Sequence, residues 1–189
     1  AIYGSRGANG VILITTKSGT IGEEKTNFSY SGEYSIQNLA KKIDLLNGKD
    51  FATIANEIPG DPNYNNVDAV PNTDWQDLVF NPAPINNHQL SAWGSTKKTQ
   101  YYIGIGYFNQ KGIVDKSGYD RITLKFNNTY NLTNHVKFGN NITISPYKQQ
   151  NAPDVTFQAY RAWPTLEPYR ADGSFAGVPG VGNPLANIE

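Results

Sequence analysis

The 189-residue sequence predicts an all-β chain with small helical insertions in its loops, whose alternating strands suit a barrel wall and also a sandwich. Three observations lead there. Four segments alternate apolar and polar residues with a period of two, and a fifth does so more weakly. The connections between them are alternately short and long. The composition is polar without being charged: charged residues make up 17%, against roughly 25% in ordinary globular chains. Mean hydropathy is nevertheless -0.52. Asn, Thr, Ser and Gln supply that polarity, together with 18 Gly and 12 Tyr. Such a mixture suits strands with one wet and one apolar face, joined by turn-rich loops.

The chain opens with Gly4, Gly7 and Gly10, running into Val11-Ile12-Leu13-Ile14-Thr15-Thr16. A phosphate-binding glycine loop needs a strand before it and a helix N-terminus after it. Here the following run is β-branched, lacks a 3.6-residue period and is ended by Lys17-Ser18-Gly19. It reads as a tight turn into a buried strand. The absence of an initiating Met at position 1 marks the sequence as a processed chain or an internal fragment.

Alternation then defines the strands. In 27–36, Phe28, Tyr30, Tyr34 and Ile36 share a face with Gly32, and Asn27, Ser29, Ser31, Glu33 and Ser35 take the other. Segment 87–95 is weaker, with Leu90 and Ala92 outward and Gln89, Ser91 and Trp93 inward. In 100–109 the outward row is Tyr101, Ile103, Ile105 and Tyr107. In 121–132 it is Ile122, Leu124, Phe126, Tyr130 and Leu132, and in 136–145 Val136, Phe138, Ile142 and Ile144.

Parity fixes the hairpins, because a one-residue slip would invert every side chain. Outward residues are even in both 121–132 and 136–145, so an odd loop must join them, and Thr133-Asn134-His135 supplies it. That register sets Asn128 opposite Asn140, the two polar members of the outward rows, as an expected cross-strand hydrogen-bonded pair. Parity switches between 87–95 and 100–109, which calls for an even turn at Lys97-Lys98. Turns at 96–99 and 133–135 are short, while 37–86, 110–118 and 146–189 are long. Bacterial outer-membrane barrels pair short periplasmic turns with long extracellular loops.

Loop 37–86 carries two helices. Asn47 caps the first, with Phe51, Ile54, Ala55 and Ile58 on one face and Pro59-Gly60 at its end. Thr73-Asp74-Trp75-Gln76 is a capping box for the second, with Trp75, Leu78 and Val79 on one side and Pro82 beyond.

Ala1-Ile2-Tyr3-Gly4-Ser5-Arg6-Gly7-Ala8-Asn9-Gly10 through Lys17 closely resembles the end of the plug domain in TonB-dependent outer-membrane receptors of the SusC/RagA type. The resemblance continues through Asn72-Thr73-Asp74-Trp75-Gln76-Asp77, Asn87 to Val114, Tyr119 to Ser145, Asp172-Gly173 and Asn183-Pro184-Leu185. Trp93 departs from the family pattern, in which a small residue is usual. The resemblance implies that 1–19 closes the plug and that 20–189 is the N-terminal part of the barrel, about five of its strands. It also implies TonB-driven import of an oligosaccharide, other glycan or peptide across the bacterial outer membrane, with a SusD-like surface lipoprotein as partner. Five strands alone leave two open edges and an apolar outer face, so the isolated piece is expected to aggregate or to need detergent. A surface β-sandwich that binds carbohydrate or serves as an adhesin is the alternative from another class. A siderophore or cobalamin receptor is the alternative within the family.

Enzymatic chemistry finds little support. There is no cysteine, and His88 and His135 stand apart at a strand start and in a turn, so no metal or other cofactor is expected. Asp61, Asp68, Asp74, Asp77, Asp154 and Asp172 fall in loops, where capping and turn roles account for them. The asparagine acceptor patterns at Asn27, Asn127, Asn131 and Asn141 are expected by chance in so Asn- and Thr-rich a chain. Net charge is zero with no basic cluster, which argues against nucleic acid. Tyr160, Trp163 and Tyr169, in the Pro-rich stretch 152–184, are the candidate substrate contacts, since loop aromatics stack on sugar rings.

Overall fold

A computed structural model describes residues 23–60, 64–177 and 182–188. The glycine run, the Val11–Thr16 strand and Asp61 lie outside the described residues. Six strands form one sheet: β1 (Thr26–Gln37), β2 (Ala83–Ser95), β3 (Thr99–Lys111), β4 (Gly118–Asn131), β5 (Lys137–Ile144) and β6 (Tyr147–Gln150). They follow the order β1-β2-β3-β4-β5, with β6 also on β4. Three short helices, α1 (Gly48–Ala55), α2 (Trp75–Val79) and α3 (Thr156–Arg161), lie in the connections. The all-β class with helical insertions is therefore observed. No helix among the described residues is long and apolar enough to cross a membrane.

The outward rows stand in the open. Phe28, Tyr30, Tyr34, Ile36, Leu90, Ile103, Ile105, Tyr107, Ile122, Leu124, Phe126, Tyr130, Phe138, Ile142 and Ile144 are exposed by 37% to 74%. A water-soluble domain would bury a face of this kind, because a large contiguous apolar patch in water marks a contact surface.

Hairpin chemistry is legible at both short turns. Thr96 Oγ1 accepts from the N–H of Lys98 (3.3 Å) and Thr99 (3.1 Å), and Thr96 N–H donates to Thr99 O at 2.7 Å. The even turn is thus Lys97-Lys98, as parity requires. Thr133 Oγ1 does the same for His135 (3.2 Å) and Val136 (3.0 Å). In each case a threonine hydroxyl stands in for turn geometry that glycine would otherwise supply.

The β4–β5 register pairs Asn128 with Asn140, as the odd loop demands. The expected hydrogen bond between them is absent. Neither Oδ1 has a donor, and the Oδ1 atoms of Asn127 and Asn131 are likewise buried and unpartnered. Register is set by backbone pairing and loop length, and neither dictates how an amide rotates.

Three stretches depart most from the sequence reading. β2 begins at Ala83, directly after Pro82, rather than at 87. β3 and β4 extend each other's ladder, so their connection is 112–117 rather than 110–118. Gly112 N–H donates to Ser117 O (2.9 Å) and closes that tight loop, in which Lys116 takes a positive φ of 59°. The strand after β5 continues as β6 to Gln150 instead of ending at 145. Leu124 opposes Ile144 and Arg121 opposes Tyr147, one unbroken register through Pro146. Ile122 N–H donates to Pro146 O at 3.1 Å, but proline has no N–H to return the bond, which interrupts the ladder there.

The chain divides into two compact units. The first holds Gln89–Gly106, Thr123–Ser145 and the chain up to Ser31, the strand portions nearest the short turns. Here Gly94 lets strands interlock. A Cβ on Gly94 would sit 2.4 Å from Lys25 O and 2.8 Å from the Tyr101 hydroxyl, which instead bonds Thr26 Oγ1 at 2.5 Å. The second holds Gly32–His88, Tyr107–Ile122 and the chain from Pro146 on. It contains the hydrophobic core: Trp75, Val79, Val114, Val155, Ala159, Ala162 and Ile188, flanked by Phe80, Leu166 and Leu185.

Candidate functional site

Helix capping builds the site. Asn47 Oδ1 accepts from Asp50 N–H at 2.9 Å and starts α1 as read from sequence. The inner face of α1 keeps Ala55 and half-buried Phe51 of the row that periodicity suggested, but not Ile54 and Ile58. Gly48, Ala52 and Ala55 are buried, while Ile54 and Ile58 stay 45% and 50% exposed. Gly48 explains this, because a Cβ there would lie 2.0 Å from Pro71 O, so that face approaches the 71–72 backbone most closely. Gly48 N–H donates to Asn72 Oδ1 at 2.8 Å.

The cap of α2 is Asp74 rather than Thr73. Asp74 Oδ1 accepts from the N–H of Gln76 (3.0 Å) and Asp77 (3.1 Å), while the Thr73 hydroxyl donates to Leu166 O at 2.7 Å. Gln76 closes no capping box. Its amide is buried and clamps the Ile43 backbone, accepting from N–H at 2.9 Å and donating to C=O at 2.8 Å. Leu78 is half-exposed where a packed face was expected. α3 has Val155 at its cap with no side-chain bond, and no sequence signal marked it.

Ion pairs tie the loop 38–47 to α2. Lys42 Nζ lies 2.8 Å from Asp74 Oδ2 and 2.5 Å from Asp77 Oδ1. Partial burial pushes the Asp74 carboxyl up, but the Lys42 ammonium and the α2 N–H groups together hold it below its ordinary value. Hydrogen bonds to Asp74 and Asp77 raise Lys42. Asp68 raises Lys49 in the same way across a 2.6 Å pair.

These elements enclose a cavity of about 470 Å³, lined by residues 42–47, Phe51, 72–76, 159–162 and Pro164. Ligand pockets commonly occupy about 300–1,000 Å³. Most polar groups on its wall are committed: Lys42 to its two aspartates, Gln76 to Ile43 and Asn72 to Gly48. Asp44, Tyr160 and Arg161 are the exceptions. The Tyr160 hydroxyl makes no hydrogen bond among the described residues, and Arg161 packs its guanidinium over the Phe157 ring at 5.2 Å. Phe51 presents its ring beside them.

Of the three aromatics singled out from sequence, Tyr160 alone lines this cavity. Trp163 is not on its wall; its ring is 5.8 Å from Phe51 and its carbonyl accepts from Trp75 Nε1 at 2.9 Å. Tyr169 stands elsewhere, its ring tilted against Phe175 at 5.4 Å in a small hairpin that Asp172 closes. Sequence reasoning missed Phe51 and Arg161 as wall residues, and α3, invisible by capping, brings Arg161 there. Among the described residues no group of three His, Cys, Asp or Glu is placed to hold a metal ion.

No protein-family model matches the chain. Among curated proteins, the TonB-dependent receptor P26 of Formosa agariphila is 36% identical over 204 residues, covering 100% of this chain and 20% of that protein. The TonB-dependent receptor SusC of Bacteroides thetaiotaomicron is 38% identical over 153 residues, 80% of this chain and 15% of SusC. The chain thus spans about a fifth or less of the length of these relatives. Among solved structures, the RagAB peptide importer in its closed-closed state superposes with a TM-score of 0.70 at 22% identity, over 97% of this chain and 26% of that one. Its open-open state gives 0.71 at 20% identity. In sequence the chain matches a segment of TonB-dependent receptors along its whole length, SusC over 80% of it, and in fold it matches part of the RagAB importer.

Proposed function

We propose that the chain belongs to a receptor that imports a nutrient, an oligosaccharide or other glycan or a peptide, across the bacterial outer membrane without breaking a bond in it. The observation that carries this reading is the exposed outward row, read together with the similarity to TonB-dependent receptors. Tyrosines close that row toward both ends of β3, at Tyr101 and Tyr107, with Ile103 and Ile105 between them. Aromatic girdles flanking an apolar band of about 25 Å are what an outer-membrane barrel presents to lipid. On this reading residues 1–19 end the plug and 20–189 begin the barrel, with the connection 38–82 outside the cell. TonB supplies the energy and a SusD-like lipoprotein covers the outer mouth.

Tyr160 is the proposed substrate contact within the 470 Å³ cavity. Trp163 holds Phe51 in the cavity wall, and Tyr169 belongs to a separate contact surface. The test is uptake of a fluorescent oligosaccharide or peptide by cells carrying the complete receptor, with and without a functional TonB. Accumulation should disappear when TonB is deleted or when a protonophore collapses the inner-membrane gradient. Uptake indifferent to both would overturn the reading.

A further inference from the structure

On the sheet face opposite the apolar row, four side chains gather near the end from which the long connections leave. Phe108 and Tyr119 meet edge-on with centroids 6.0 Å apart, and Tyr119 stacks on Tyr147 at 5.7 Å. Arg121, which faces Tyr147 across the β4–β6 ladder, lays its guanidinium over the Phe108 ring at 5.6 Å and the Tyr119 ring at 5.9 Å. Ring contacts hold the guanidinium plane and leave its N–H edge open.

That edge has no partner among the described residues: Arg121 enters no ion pair and donates no hydrogen bond there. Its neighbour Asp120 alternates to the opposite face and accepts from Asn109 Nδ2 at 2.6 Å. By the same alternation the inward positions of β1 to β6 carry Arg121, Lys125 and Lys137 against one acid, Glu33. A planar, pre-oriented guanidinium without a carboxylate of its own matches a carboxylate bidentately. Tyr147 is 66% exposed and offers a ring face beside it.

We infer that Arg121 and its aromatic bed form a carboxylate-recognition point for the imported molecule. The inference rests on the import reading. The carboxylate belongs either to a uronic acid of an oligosaccharide, whose ring then lies on Tyr147, or to the C-terminus of a peptide.

The test is calorimetric binding to the complete, purified receptor. Four probes separate the sources: hexagalacturonate against neutral maltohexaose, and an acid-free hexapeptide with a free against an amidated C-terminus. Wild type should prefer one carboxylate probe over its neutral counterpart by about tenfold or more, with a preference that weakens as salt rises. Arg121→Gln should abolish the preference, bringing carboxylate binding down to the level of the neutral counterpart. Arg121→Lys, which keeps the charge and loses the fork, should retain part of it. Heat-shifted gel mobility of both variants serves as the check that the barrel is closed. A wild type that binds neither carboxylate probe, or an Arg121→Gln variant that keeps the preference, would sink the inference. Neither result touches TonB dependence of uptake, so the import reading fails or survives separately.

Discussion

The sheet and the helical insertion bury apolar surface in opposite ways. In the insertion, Trp75, Val79, Val155 and Ala159 are enclosed by side chains of the same chain, with Lys42, Asp74 and Asp77 on the outside. On the sheet, Ile103, Ile105, Leu124 and Phe126 point outward into the open, and the polar residues take the other face. One region satisfies the hydrophobic effect internally, as a water-soluble fold does. The other leaves its apolar row uncovered by the described chain. On the import reading the insertion meets water and the outward row meets lipid, and substitutions should therefore act by different rules in the two regions.

The largest expected effect falls in the insertion. Trp75 is buried and its Nε1–H donates to Trp163 O, so Trp75→Ala removes both ring volume and a bond that holds α2 against the 163–166 segment. Loss of a buried tryptophan costs about 3–5 kcal/mol. In the complete receptor, hydrogen exchange over 72–82 and 155–166 should accelerate by orders of magnitude while β3 and β4 remain protected. Uniform acceleration through the strands would mean that the insertion and the sheet do not behave as separate packing regimes.

Ile105→Arg tests the sheet. In water, an exposed isoleucine exchanged for arginine would be almost neutral. In the middle of an apolar band in lipid, the same change costs about 2–4 kcal/mol. Folding titrations of the complete receptor into lipid vesicles should show this loss, whereas Thr123→Arg on the inward row should not. Equal effects at the two positions would contradict the assignment of faces.

Strand faces and register were the most legible features of the sequence, because both follow from a period of two and from loop parity. The Asn128–Asn140 pairing was reached by counting three loop residues. What stayed hidden depended on contacts between segments far apart in the chain. The inner face of α1 is chosen by the approach of Gly48 to Pro71 O, which no helical period encodes. Thr73 looks like a cap until Leu166 O claims its hydroxyl, after which Asp74 takes the role. β6 lies beyond residue 145, where the alternating segment was ended, although the register runs straight through Pro146. Tyr160 was readable as a loop aromatic, but its company, Phe51 and Arg161, required the fold.

A smaller effect sharpens the insertion's electrostatics. Because the folded-state pKa of Asp74 lies below its ordinary value of 3.8, the carboxylate adds stability in full above that value. The contribution is lost as pH falls through the lower, folded value. Lys42 is raised, so its share is present below its ordinary 10.5 and is lost only in stronger base. Protection of α2 against hydrogen exchange, corrected for intrinsic rates, should therefore be flat from neutral pH down to the carboxylate range and decline below it. Asp74→Asn keeps a capping oxygen and loses the ion pair, which for a half-exposed carboxylate amounts to about 0.2–1 kcal/mol or less. Asp74→Ala loses both and should cost about 0.5–2 kcal/mol. Equal losses in the two variants would mean that the cap contributes nothing.

The smallest effects belong to the short turns of the sheet. Thr133 and Thr96 each bind two backbone N–H groups, but the turns around them differ in what else holds them. Leu132 and Thr133 N–H both donate to Val136 O, at 2.9 and 3.2 Å, so the three-residue turn has backbone bonds of its own. The two-residue turn has one, from Thr96 N–H to Thr99 O. Removing the hydroxyl should accordingly cost about 1 kcal/mol at Thr96 and less at Thr133, within the range for a single net hydrogen bond. Thr96→Ser and Thr133→Ser retain the oxygen and should restore most of the loss. The measurement is the same vesicle folding titration, read against Thr143→Ala as a strand control. A larger loss at Thr133 than at Thr96 would mean that the hydroxyl, and not the backbone, sets the three-residue turn, and with it the register that pairs Asn128 with Asn140.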